Sequence, residues 1–165
     1  EGTTISQLLD RGEIDGFIAP RPPSREVLAN PNVGWLFDDP TAVAKDYYKR
    51  TGIFPIMHVA AIRKSLAERH PWLPVAVLKA FTHSKAAALE LLSDTSATKV
   101  TLPFVEEQLK AARETMGEDF WAYGVEPARR TLETFARHHH AQGLSSRLVG
   151  VDEMFHPATY ETYSI

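Results

Sequence analysis

The chain has 165 residues, of which 44% are hydrophobic and 24% charged, a composition typical of a globular domain that can bury one core. Its net charge is −3 and its basic residues are dispersed, so we expect no nucleic-acid partner. No apolar run approaches the roughly 20 residues needed to cross a bilayer, so we expect no membrane partner. The absence of cysteine excludes disulfides, thiolate nucleophiles and cysteine zinc sites.

The first 31 residues predict a helix, a strand and an irregular stretch. Residues 4–9 form a short helix capped by Thr3 or Thr4 and ended by Gly12. Residues 14–19 are typical of a short strand. Residues 20–31 contain four prolines, so we expect neither regular helix nor central strand there.

The remaining chain predicts mainly helices. One begins at Asp38-Asp39-Pro40 and ends by Gly52, and the continuous apolar run 53–62 then predicts a buried strand that contains His58. The longest helix covers residues 71–92. Two more end at Gly117 and Gly143. Their apolar stripes are Leu78, Phe81, Ala88, Leu91 and Leu92; Val105, Leu109, Ala112 and Met116; and, after Pro127, Leu132, Phe135, Ala136 and His139.

Several segments together resemble 4,5-dihydroxyphthalate decarboxylases, which are relatives of the type II periplasmic binding proteins. The segments are GEID at 12–15, TGIFPIMH at 51–58, HPW at 70–72, WAYGVE at 121–126, QGL at 142–144 and EMFHP at 153–157. The chain departs from the pattern at Gly16, where alanine is commoner, and at Ala122, where proline is expected.

The resemblance implies an α/β fold that is half of a two-lobed, type II periplasmic-binding-protein-like clamshell, helix-rich with few strands. Such proteins are about twice this length, so the chain is expected to be the C-terminal half. We assign residues 1–30 to the end of one lobe, 31–52 to the crossover and connecting helix, and 53–165 to the C-terminal part of the other lobe.

The same resemblance implies decarboxylation of 4,5-dihydroxyphthalate to 3,4-dihydroxybenzoate and CO2 by acid/base catalysis in an interlobe cleft. His58 is the first candidate for the catalytic acid, because an imidazole titrates near neutrality and can donate and recover a proton. A core histidine with hydrogen-bonded ring nitrogens is the structural alternative.

Five other residues are candidates for the site, each with a structural alternative. Arg63 and Arg129 could grip substrate carboxylates bidentately or be surface arginines. Trp121 could stack on the substrate or plug the core, and Tyr123 could hydrogen-bond the substrate or anchor a turn. Glu126 could act as a base or cap the following helix. Asp15 ranks lower.

We expect no cofactor, since the ring hydroxyls can supply electrons to the reacting carbon, and no metal. The residues His138, His139 and His140 point about 100° apart around a helix and cannot all bind one ion, although His139 with His83 or His70 stays geometrically open. A solute-binding protein of the same fold for an aromatic or anionic ligand is the alternative function, and an enzyme acting on another hydroxylated aromatic acid is a third. The expected partner is a small aromatic carboxylate and the expected compartment is the cytoplasm. Homo-oligomerisation stays open.

Overall fold

The structure, a computed structural model, describes residues 2–96 and 101–160. These residues form eight α-helices and one 3-10 turn. The helices are α1 (Ile5–Asp10), α2 (Arg25–Leu28), α3 (Pro40–Thr51), α4 (Lys64–Arg69), α5 (Leu73–Ser93), α6 (Val105–Met116), α7 (Val125–Ala141) and α8 (Val151–Met154), and the 3-10 turn is Pro157–Thr159.

The chain divides into two compact units, Glu1–Ala44 and Lys45–Ile165. Within the first unit α1 packs against α2. The predicted cap of α1 is confirmed: the Gln7 amide donates to Thr4 Oγ1 at 3.2 Å and the Thr4 amide donates to Gln7 Oε1 at 2.8 Å. The side-chain amide of Asn30 donates to the Asp10 carboxylate at 2.9 Å, which ties the end of α2 to α1.

The prediction that residues 20–31 contain no helix is wrong, because α2 forms inside this stretch. Its single turn lies between Pro23 and Pro31, so the prolines flank it without interrupting its hydrogen bonds. Ser24 accepts a hydrogen bond from the Val27 amide at 3.5 Å, and the Val27 side chain is buried. A cap and one buried aliphatic residue therefore suffice for this short helix.

The second unit has a small core where α7 meets α8. Val125 and Leu132 of α7 pack there with Val151 of α8, and Phe155 and Tyr160 cover them partly. Elsewhere in this unit α5 packs against α6 and against the 3-10 turn.

The four long predicted helices are confirmed, with two differences in detail. Helix α7 begins at Val125, two residues before Pro127, because the first turn of a helix needs no proline amide. In α5, the predicted apolar stripe is only partly buried, since Phe81 and Leu91 are 53% and 52% exposed. The helix turns a slightly different face, centred on Leu78, Lys85 and Leu92, toward its neighbours.

Neither predicted strand is present in the described residues. Residues 14–19 have no regular structure, with Ile18 fully exposed, and residues 53–62 also form neither helix nor strand. A strand needs a neighbour that pairs with its amides and carbonyls, and the described residues supply none. The helix-rich character of the fold is confirmed, and the two-lobed clamshell remains a prediction.

Candidate functional site

Two of the predicted motif segments meet in the structure, at Phe54 and Trp121. Their ring centroids lie 5.3 Å apart with planes inclined at 61°, a favourable edge-to-face pair. Just before Phe54, Gly52 ends α3 with φ of +64°, and a Cβ atom there would lie 3.4 Å from Nη1 of Arg130 in α7. That distance is an ordinary van der Waals contact with the end of a flexible side chain, so it is the positive φ that would strain another residue here and that favours glycine.

Lys85 of α5 holds the loop that carries Trp121 and Tyr123. Its side chain is only 14% exposed, and Nζ donates to the Asp119 carboxylate at 2.6 Å and to the backbone carbonyl of Trp121 at 3.1 Å. The same ammonium lies 5.0 Å from the centroid of the Tyr123 ring, within cation–π range. Tyr123 is thus half-buried against a cation, whereas Trp121 is 49% exposed.

Glu126 and Arg129 form an ion pair within the first turns of α7. Nε of Arg129 donates to both carboxylate oxygens of Glu126, at 3.1 and 3.2 Å, and Nη2 donates to Asp152 of α8 at 2.9 Å. The hydrogen bond from Arg129 lowers the pKa of Glu126, and the two carboxylates raise the pKa of Arg129. Much of the guanidinium fork is therefore already engaged by protein carboxylates.

The predicted cap by Glu126 is wrong in its geometry. Gly124, with φ of +104°, occupies the N-cap position of α7, and Glu126 is the second helical residue. No side chain caps the helix, and the Glu126 carboxylate accepts hydrogen bonds from Arg129. A carboxylate in the first turn still interacts favourably with the helix dipole.

His58 and Arg63 are exposed, contrary to the expectation that His58 lies in a buried strand. His58 lacks described neighbours that would bury it because residues 53–62 are not packed into a sheet; Met57 and Val59 beside it are 79% and 65% exposed. Arg63 precedes α4 without a side-chain cap hydrogen bond. Within the described ranges neither side chain has a hydrogen-bonded or ion-paired partner, so both are accessible to a ligand.

A second ionic cluster stabilises the start of α8. Arg147 forms a bidentate pair with Glu153, at 3.0 and 2.6 Å, and Glu153 also accepts from the Gly150 amide at 2.8 Å. The bond from Arg147, and next the bond from Gly150, lower the pKa of Glu153 from 4.5 to about 2. Close by in the chain, the Tyr160 hydroxyl lies 2.7 Å from the Asp152 carbonyl and 3.0 Å from the Phe155 carbonyl, and burial raises its pKa.

The three consecutive histidines lie in the last turn of α7 and are not gathered around one point. His140 Nδ1 lies 3.2 Å from the Ser145 carbonyl, and His139 contacts the Phe135 ring at 5.6 Å between centroids. Among residues 2–96 and 101–160, no three histidine, aspartate or glutamate side chains cluster as metal ligands would.

Lys85, Asp119 and Phe54 are contacts of this site that the sequence reasoning missed. Lys85 occurs four residues after Phe81 and three before Ala88, so it interrupts an otherwise apolar helical stripe. A lysine at such a position often needs a buried partner, which is the signal that could have drawn attention to it.

Comparison with known proteins gives one match that covers the whole chain. It is 55% identical over all 165 residues to a 4,5-dihydroxyphthalate decarboxylase of Comamonas testosteroni. The chain is thus related to 4,5-dihydroxyphthalate decarboxylases over its entire length. The relationship predicted from the motifs is confirmed.

The matches also show how much of each relative the chain covers. A 4,5-dihydroxyphthalate decarboxylase of Pseudomonas putida is 41% identical over 49 residues, which are 30% of this chain and 19% of that protein. The chain spans 50% of the Comamonas protein, about half the length of this curated relative. No protein-family model matches the chain. Among the described residues, no helix combines the length and apolar character required of a membrane span.

Proposed function

We propose that the full-length protein containing this chain removes one carboxylate from 4,5-dihydroxyphthalate, giving 3,4-dihydroxybenzoate and CO2. The observation that carries the proposal is the 55% identity along all 165 residues to a protein named for that activity. The contact between Phe54 and Trp121 adds support, because it joins the two segments that carry most of the candidate residues.

The chemistry follows from the positions of the hydroxyl groups. Each ring hydroxyl of the substrate is para to one carboxylate-bearing carbon, so an ionised hydroxyl pushes electron density onto that carbon. Protonation there gives a non-aromatic intermediate. Cleavage of the bond to the carboxylate then releases CO2 and returns the electron pair to the ring, which becomes aromatic again. The reaction consumes one proton, and it requires an acid near the carboxylate-bearing carbon and a base near the para hydroxyl.

In this proposal His58 is the acid. Its exposure and its freedom from described partners leave the imidazole available to a ring that binds against the 51–58 segment. Glu126 is the candidate for the group that accepts the hydroxyl proton, because Arg129 lowers its pKa and keeps its carboxylate ionised. Tyr123 is the candidate for the group that hydrogen-bonds the hydroxyl, since a phenol can hold the substrate hydroxyl but cannot take its proton.

The substrate's two carboxylates need cationic partners. Arg63 is the stronger candidate, because its guanidinium is exposed and uncommitted within the described residues. Arg129 would have to exchange Glu126 or Asp152 for a substrate carboxylate. Trp121, about half exposed, offers a ring face for stacking. We propose that the rest of the full-length protein closes this surface into a cleft between two lobes.

The test is a product assay with two substrates and the purified full-length protein. With 4,5-dihydroxyphthalate, liquid chromatography should detect 3,4-dihydroxybenzoate in step with substrate loss. Unsubstituted phthalate is the control, since it lacks the para hydroxyl that supplies electrons, and it should remain intact. Turnover of both compounds would refute the mechanism, and turnover of neither would refute the proposed function.

A further inference from the structure

Lys85 has a side chain that is only 14% exposed, and its contacts are concentrated on one loop. Its ammonium lies 2.6 Å from Oδ1 of Asp119, 3.1 Å from the Trp121 carbonyl and 5.0 Å from the Tyr123 ring centroid. An ammonium group has three N–H donors. Two hydrogen bonds and one ring contact occupy the ammonium, so Lys85 is committed to this loop and is not left to bind a substrate carboxylate.

Trp121 is held at two points by these contacts. Lys85 binds its backbone carbonyl, and Phe54 packs edge-on against its indole ring. Phe54 lies four residues before His58 in the chain. The Lys85 contacts therefore link α5, through Trp121, to the segment that carries His58. The remaining described residues supply no backbone ladder for that segment, so this link matters more than it would in a sheet.

We propose that Lys85 is a positioning residue for the reaction, an inference that rests on the proposed decarboxylation. It fixes the loop of residues 119–123, so that the Trp121 ring and the Tyr123 hydroxyl face the substrate and Phe54 keeps the His58 segment in place. A displacement of about 1 Å in reacting groups can cost up to about 100-fold in rate. Loss of the Lys85 contacts should consequently impair turnover without removing a group that touches the substrate.

Two substitutions of Lys85 separate its charge and donors from its packing. Lys85→Met keeps the aliphatic stem but removes every donor, whereas Lys85→Arg can still donate to Asp119 and to the Trp121 carbonyl. The matched control is Lys110→Met, because Lys110 is 77% exposed and lies 3.8 Å from Glu114, both in α6.

Steady-state kinetics of the full-length protein should show kcat lowered about 10-fold to 100-fold by Lys85→Met, with a smaller change in KM. Lys85→Arg should recover kcat to within about threefold of the wild type.

Hydrogen–deuterium exchange gives a readout that does not depend on activity. In Lys85→Met, amides in residues 119–124 should exchange about tenfold faster than in the wild type, while Lys110→Met leaves them unchanged. If Lys85→Met does not fold, Asp119→Ala removes the shortest of the three contacts, and it should raise exchange in the same residues and lower kcat.

The outcomes separate this inference from the proposed function. A wild-type protein that releases no CO2 contradicts the proposed function, and the positioning role in catalysis fails with it even where exchange confirms the contacts. An active wild type, with folded Lys85→Met or Asp119→Ala at wild-type kcat and exchange, overturns the positioning role alone. An active wild type with low kcat in Lys85→Met and recovery in Lys85→Arg supports both.

Discussion

The substitution His58→Gln tests the proposed acid and is informative because of where His58 lies. The side chain is exposed and has no hydrogen-bonded partner among the described residues. Exposed substitutions of this kind usually change the free energy of unfolding by no more than about 0.5 kcal/mol. We therefore expect the variant to fold with a melting temperature close to that of the wild type, which separates a catalytic role from a structural one.

The rate should change far more than the stability. Removal of a positioned general acid typically costs about 10²-fold to 10⁴-fold in kcat, equivalent to about 2.7–5.4 kcal/mol in activation free energy. Glutamine can hydrogen-bond but cannot protonate the ring carbon. The KM for 4,5-dihydroxyphthalate should stay within about threefold, because the acid acts mainly in the transition state.

The assay is steady-state formation of 3,4-dihydroxybenzoate by the full-length protein, with His83→Gln as the matched control. His83 is an exposed histidine of α5 outside the Phe54–Trp121 contact, and its substitution should leave kcat unchanged. A His58→Gln variant that folds normally and keeps kcat within threefold of the wild type would refute the assignment. Tyr123 and Glu126 would then be the next candidates for the acid.

Three further predictions follow from the ionic contacts and from the extent of the chain. Arg129→Lys should raise KM about tenfold or more if the fork binds substrate, and unchanged steady-state kinetics would leave Arg129 with its structural pairing to Glu126 and Asp152. The folded protein lowers the pKa of Glu153 from 4.5 to about 2, so its pair with Arg147 stabilises the fold above pH 4.5 and loses this contribution as pH falls toward 2. The melting temperature of Glu153→Gln should therefore fall less steeply with acidification than that of the wild type, and an equal fall would contradict the pairing. The isolated 165-residue chain should show no turnover if the site needs groups from both lobes, so full activity of that chain would exclude an interlobe site.

The sequence predicted those elements whose signals are local. Helix α6 was predicted from the spacing of Val105, Leu109 and Met116 and from Gly117, and it ends at Met116 as expected. The N-cap of α1 is predictable from the sequence for the same reason, since Thr4 and its partner Gln7 are three residues apart. Caps and helical periodicity depend on contacts within about one turn, so one sequence contains the information.

The strands could not be predicted in the same way. The apolar run 53–62 has the composition of a strand, but strand formation depends on a neighbour that can be far away in the chain. The described residues offer no such neighbour, and the segment remains without regular structure. The composition of residues 53–62 therefore favours a strand, but a strand forms only where a second strand pairs with it.

The sequence supplied candidate residues for the site, which stay predictions, but it did not supply their contacts. Trp121 and Tyr123 were identified from their motif, but Lys85 pairs with Asp119 across 34 positions of sequence. The Phe54–Trp121 contact spans a still longer separation. No spacing rule relates such distant residues, which is why the loop's attachment to α5 became evident only in three dimensions.

Release of carbon dioxide tests the central claim most directly. The full-length protein would be mixed with 4,5-dihydroxyphthalate labelled with carbon-13 in its carboxyl groups, and the dissolved gas followed by membrane-inlet mass spectrometry. We predict one labelled CO2 for each 3,4-dihydroxybenzoate formed, at a rate that depends on enzyme concentration and is lost in His58→Gln. Saturable binding of the compound without labelled CO2 would contradict a decarboxylase and indicate a solute-binding protein instead.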